Sequence, residues 1–162
     1  MTLRRGKTFL MATLWAAMSL PALAQVDRVV AQAEDGYIDC LPCAATIELA
    51  LRKLPDVDKV SVSMSKQMVA VIYKAGGGSF RPQELRDGIL QADVRVAEFH
   101  VSARGIAKQE NGKVFFVAGK DRFLVLNSKL PLDVPIGVVG QVDDSTSPFQ
   151  ITVKDFQPLN KP

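Results

Sequence analysis

Between residues 28 and 101 the apolar residues change their spacing from that of a strand to that of a helix and back, twice over. A strand is expected from Arg28 to about Asp35, delivering the chain to the loop Gly36-Tyr37-Ile38-Asp39-Cys40-Leu41-Pro42-Cys43. Ile47, Ala50, Leu51 and Leu54 then recur at i, i+3, i+4 and i+7, which makes one apolar helix face. Glu48 and Arg52 form an i,i+4 pair outside that face, and Pro55 ends the run. Val60, Val62 and Met64 alternate with Ser61, Ser63 and Ser65, the period of a half-buried strand. The β-branched and aromatic run Met68–Tyr73 follows after the short link Ser65-Lys66-Gln67, as in an antiparallel hairpin. Gly76-Gly77-Gly78 lacks the spacing and the lysine of a phosphate-binding loop and reads as a flexible connection. Pro82 suits the first turn of a second helix, with Leu85, Ile89 and Leu90 as its expected buried side and Gly88 as a weak point. Val94 to Val101 supplies a last strand. The order β-α-β-β-α-β predicts a ferredoxin-like sandwich, a four-stranded sheet under two helices.

From Arg104 onward the helical periods stop. Strands are expected near Val101–Ala107, Lys113–Ala118, Arg122–Leu126, Ile136–Val142 and Phe149–Phe156, with Asn111-Gly112 as a hairpin turn and Pro131, Pro135 and Pro148 in the loops. Five short strands suggest a small OB-like barrel, so the expected class is α+β, a sandwich over residues 25–103 followed by an all-β unit over 104–162. The first barrel strand is expected to continue from the last sandwich strand with almost no linker. Residues 104–162 carry 8 Lys and Arg against 6 Asp and Glu, too even a balance for a nucleic-acid groove. Phe115, Phe116, Phe123, Phe149 and Phe156 lie in apolar runs and read as core. No Ser-His-Asp set or catalytic carboxylate pair is evident, so no enzyme activity is expected.

The first 24 residues have the form of a secretory leader. Arg4, Arg5 and Lys7 precede an apolar stretch from Thr8 to Leu20, and Ala22-Leu23-Ala24 is a small-residue cleavage site. About thirteen apolar residues are too few to span a bilayer, which takes ~20. Cleavage after Ala24 would leave a periplasmic chain without stable membrane insertion, and Sec export fits the spacing better than the twin-arginine route. Residues 25–162 carry 17 Lys and Arg against 17 Asp and Glu, so the basic character of the full chain belongs to the leader.

Cys40 and Cys43 are the only cysteines, spaced Cys-x-x-Cys at the start of the first expected helix. Soft sulfur favours Cu(I), Hg(II) and Zn(II), and a helix N-terminus stabilises the thiolate. Zinc ordinarily takes four ligands, and the chain offers no further cysteine and a single histidine, His100, in a strand where a structural place is the simpler reading. The pair therefore suits one exchangeable, two-coordinate ion. The sandwich topology places Met64, Lys66 and Met68 at the same end, with Met64 more simply explained as packing.

These features together resemble the heavy-metal-associated domain family, which includes copper chaperones and the periplasmic mercuric-ion binding protein. The resemblance covers about residues 28–101 and rests on Cys40-x-x-Cys43, Ile47, Ala50-Leu51, Val57, Val60, Val62 and Val71-x-Tyr73. Tyr37 and Ile38 stand where the family has Gly and Met. The resemblance implies a soft-metal binding or delivery protein with Cys40 and Cys43 as ligands to Cu(I) or Hg(II), one ion per chain, and a membrane transporter or other periplasmic protein as partner. Two other readings stand beside it. Pro42 makes the motif Cys-x-Pro-Cys, as in thiol-disulfide proteins, although no aromatic residue precedes Cys40 and a hairpin follows the first helix. The third is an assembly module whose cysteines are simply oxidised together.

Overall fold

The alternation that starts in the last sandwich strand does not stop at its expected end. Phe99, Val101, Ala103, Gly105 and Ala107 are buried while Glu98, His100, Ser102, Arg104 and Ile106 between them are half-buried, so one strand runs on. In the computed structural model, described over residues 24–34, 38–127 and 129–159, this strand spans Val96–Glu110. The chain order is β1 (Gln25–Ala33), α1 (Leu41–Leu51), β2 (Val57–Ser63), β3 (Met68–Tyr73), α2 (Pro82–Leu90), β4 (Val96–Glu110), β5 (Lys113–Ala118), β6 (Asp121–Val125), β7 (Pro135–Asp143) and β8 (Phe149–Pro158). Residues 1–23 of the expected leader, Asp35 at the expected end of the first strand, and Gly36 and Tyr37 lie outside the described residues. Among the described residues no helix is long and apolar enough to cross a membrane.

The first four strands have the expected ferredoxin-like order β2-β3-β1-β4, antiparallel throughout. Ile38, Ile47 and Leu51 from the loop and α1, and Leu85 and Ile89 from α2, are fully buried in one core with Val29, Val69 and Phe99. Each such side chain contributes roughly 1.5–3 kcal/mol. Leu90 departs from expectation: it is 52 % exposed, and the buried side of α2 is Leu85, Gly88 and Ile89. Gly88 is there for space, because a Cβ would stand 2.6 Å from Leu51 Cδ2, where α2 lies against α1.

The remaining strands close into a ring, β4-β5-β6-β8-β7 and back to β4, in which β6 and β8 are parallel and the other pairs antiparallel. This ring is not set apart from the sandwich. All eight strands form one sheet, and the junction expected between residues 103 and 104 falls inside β4. β1 pairs with β4 from Val96 to Arg104, and β7 pairs with it from Phe99 to Ile106. Ile106 pairs with Val117 of β5 and Pro135 of β7 at once, so β5 takes over the edge that β1 has left. Gly105 sits at the changeover, where a Cβ would lie 2.0 Å from the Val117 carbonyl oxygen. Asn111 and Gly112, with φ of 51° and 76°, make the expected β4–β5 turn. Phe156, expected in the core, is 37 % exposed toward the end of β8, although the register shift at Val139/Gly140 sets it opposite the buried Val138.

Side chains lock the two parts together. The Phe80 ring meets Phe99 and Phe149 edge-on, each with centroids 5.4 Å apart, and lies 6.0 Å from Phe123. Asp121 of β6 accepts hydrogen bonds from Phe80 N–H (3.0 Å) and the Ser79 hydroxyl (3.1 Å). Arg86 of α2 donates twice to Asp144 (2.9 Å each) and once to the Val96 carbonyl (2.7 Å).

Candidate metal centre

Cys40 is the N-cap of α1. Its backbone is extended (φ −131°, ψ 144°), its sulfur accepts the Cys43 N–H at 3.0 Å, and its carbonyl accepts the Ala44 N–H at 3.1 Å. Pro42 fits the first turn because the N–H it lacks would have no helical partner there. Both cysteines are half-buried, and Leu41 between them is 73 % exposed, so the pair sits at an open end of the sandwich. The two sulfurs are joined in a disulfide, with Cα atoms 5.2 Å apart. In this state neither is a thiolate. Two electrons and two protons convert the bond to a dithiol, the form in which the helix N-terminus favours negative charge on sulfur.

Asp39 was missed in the sequence although it directly precedes Cys40. Its carboxylate and the two sulfurs lie within 4.8 Å of one another, and it is exposed. A carboxylate adds one hard oxygen to two soft sulfurs, which widens the ligand set toward zinc. The other expected neighbours divide. Met64 packs half-buried against the core as expected, although it lies in the turn just past the end of β2 and not in the strand. Lys66 is exposed in the turn, and Met68 lies in β3 opposite Ser63 and Gln32. His100 is in β4, where its Nε2 lies 2.8 Å from Glu98 Oε1, and it does not belong to the Asp39, Cys40 and Cys43 cluster. The Glu48–Arg52 ion pair forms as expected.

Gln67, read only as a hairpin link, reaches the cysteine loop. Its side-chain Oε1 accepts the Ile38 N–H at 2.8 Å, and its Nε2 donates to the Ile38 carbonyl at 3.0 Å and to the Met64 carbonyl. The β2–β3 turn is thereby fixed against the segment that leads into Cys40. No local sequence signal announces such a contact, since it joins residues 29 apart.

No family model matches this chain, and no curated protein matches it. Solved structures that resemble part of it include two that concern copper. One comes from work on crosstalk between Cu(I) and Zn(II) homeostasis; it is 29 % identical over 43 % of this chain and 92 % of that one, with a TM-score of 0.34. The other is a solution structure of a copper form of CopA from Bacillus subtilis, 24 % identical over 46 % of this chain and 92 % of that one, with a TM-score of 0.36.

Proposed function

We propose that the reduced protein binds one soft metal ion, Cu(I) ahead of Hg(II), between the sulfurs of Cys40 and Cys43 and passes it to a partner. The observation that carries this reading is the place of the pair: two sulfurs cap and open an eleven-residue helix at an accessible end of the sandwich. Binding releases the two thiol protons, and a partner's thiolates can replace the two sulfurs one at a time, so the ion need never be free. The strand-and-helix order and the residues around the motif support membership of the heavy-metal-associated type. Export supports access to a membrane transporter or another periplasmic protein, and cleavage after Ala24 would leave β1, which starts at Gln25, whole. The ring of β4 to β8 has the connectivity of an OB-like barrel, and its role in this reading is to orient the site or dock the partner, with no catalysis and no nucleic acid involved.

Thiol-disulfide exchange is the second reading, favoured by the Cys40–Cys43 bond and by Pro42. Anaerobic titration of the reduced protein with Cu(I), Hg(II) and Zn(II), beside a reduction-potential measurement, separates the two. One tightly bound Cu(I) per chain is the expected result. A stoichiometry near zero, with a potential in the range of exchange proteins, overturns the metal reading. Tighter retention of Zn(II) than of Cu(I), lost in Asp39→Ala, would reassign the cargo.

A further inference from the structure

We propose that Gln67 is a positioning residue for the Cys40–Cys43 pair, acting through the peptide of Ile38; this rests on the metal-binding reading above. The first indication is backbone conformation. Gln67 has a φ of 51°, in the left-handed region that glycine or asparagine occupies most readily. What glutamine adds there is reach. Its amide offers Ile38 one acceptor and one donor, at 2.8 and 3.0 Å, as a neighbouring strand would. Ile38 is fully buried, so its peptide groups have little water to turn to if the amide leaves.

The same residue also holds the chain before the loop, since the Gln67 carbonyl accepts the Ala33 N–H at 2.8 Å. Gln32 fixes the turn in its place by donating from Nε2 to the Lys66 and Gln67 carbonyls at 3.1 and 3.0 Å. Gln67 thus grips Ala33 on one side of the loop and Ile38 on the other. Cys40 follows Ile38 by two residues and opens α1, so its sulfur is set by the clamp on one side and the helix on the other. A two-sulfur site tolerates displacements of only about 0.5 Å before its geometry is lost.

The molecule supplies its own control. In the ring, Asn127 clamps Val153 in the same manner, with Oδ1 accepting the N–H at 2.9 Å and Nδ2 donating to the carbonyl at 3.2 Å. Gln67→Met keeps length and volume without the amide. Gln67→Asn keeps the amide and suits the left-handed backbone, but is one methylene short. Asn127→Leu makes the same lesion away from the thiols. Cu(I) affinity of the reduced proteins, by competition with a chelator, is expected to fall about tenfold in both Gln67 variants, the scale of outer-shell changes, and to stay at the wild-type value in Asn127→Leu. Wild-type affinity in both Gln67 variants, or an equal fall in Asn127→Leu, overturns the proposal. Equilibration of each protein with glutathione reads the clamp without metal: releasing it frees the dithiol more than the ring-closed disulfide, so a shift of about tenfold toward the dithiol, or ~30 mV for this two-electron couple, is expected in the Gln67 variants alone. If wild type binds no Cu(I) but this shift appears, the metal reading fails and the clamp stands; no shift removes the clamp.

Discussion

The sandwich and the ring share a sheet and hide their apolar residues by different means. In the sandwich, α1 and α2 cover one face of β1 to β4, and in the ring the sheet closes on itself and buries Phe116, Phe123, Ile136 and Ile151 on its strands. The two solutions leave different chemistry at the surface. A covering helix has an end where backbone N–H groups lack helical partners, and Cys40 and Cys43 occupy the end of α1. A closed ring pairs its strands around the circuit and offers no such end. The thiols and Asp39 are accordingly all in the sandwich, while the ring contributes aromatic packing and the carboxylates of Asp121 and Asp144 that hold the sandwich to it.

That contrast can be attacked from either side. The largest effect is expected in the sandwich: Cys40→Ser or Cys43→Ser should lower Cu(I) affinity more than ~100-fold, since losing a ligand exceeds the 10–100-fold cost of altering its surroundings. Chelator competition measures it, and the thermal transition should hardly move. Next comes the joint. Phe80→Ala removes the ring that meets Phe99, Phe123 and Phe149 and should cost about 3–5 kcal/mol in denaturant unfolding. If the halves are as tightly coupled as these contacts imply, unfolding followed by the ring aromatics and by a probe on α1 will stay coincident. Gly105→Ala drives a methyl into the Val117 carbonyl where β1 gives way to β5, and should cost about 1–3 kcal/mol by the same measurement.

The smallest effect concerns Asp121. Burial holds its carboxyl above the ordinary carboxylate range, opposed by the bonds from Phe80 and Ser79 and by the charge of Arg81. With the folded value raised, the neutral acid suits the fold better; that contribution is complete below the unfolded value of about 3.8 and is lost as pH rises through the folded one. Asp121→Asn is neutral throughout, still accepts from Phe80, and can donate to Ser79. Its melting temperature is therefore expected to match wild type in acid and to gain on it toward neutral pH. A constant difference across the range would mean that the carboxyl is not strained by burial.

The sandwich was legible because its signals are local. The helix period of Ile47, Ala50 and Leu51 and the strand period of Val60 and Val62 each lie within one element, and all three helix residues are buried. The ring strands were legible for the same reason, since Asn111-Gly112 and the prolines mark their ends. What escaped was partnership across distance. Nothing near Gly105 tells that β4 changes neighbours there, and nothing near Gln67 points to Ile38. Phe156 stands opposite the buried Val138 through a register shift against β7 and is nonetheless exposed toward the end of β8, which its own apolar run does not tell. Leu90 reads as buried in the sequence together with Leu85 and Ile89, whereas the approach of α2 to α1 is decided at Gly88.

The unbroken course of β4 makes it a ruler. Fifteen residues at about 3.3 Å each make a path of roughly 50 Å along one strand, from the Val96 end, where β1 runs out toward the thiols, to the hairpin at Glu110. The arrangement is unforgiving of length. One residue inserted midway along β4 would turn the downstream side chains over, sending Ala107 outward and Lys108 inward, so the spacing between hairpin and sulfurs can change with the core intact only in steps of two.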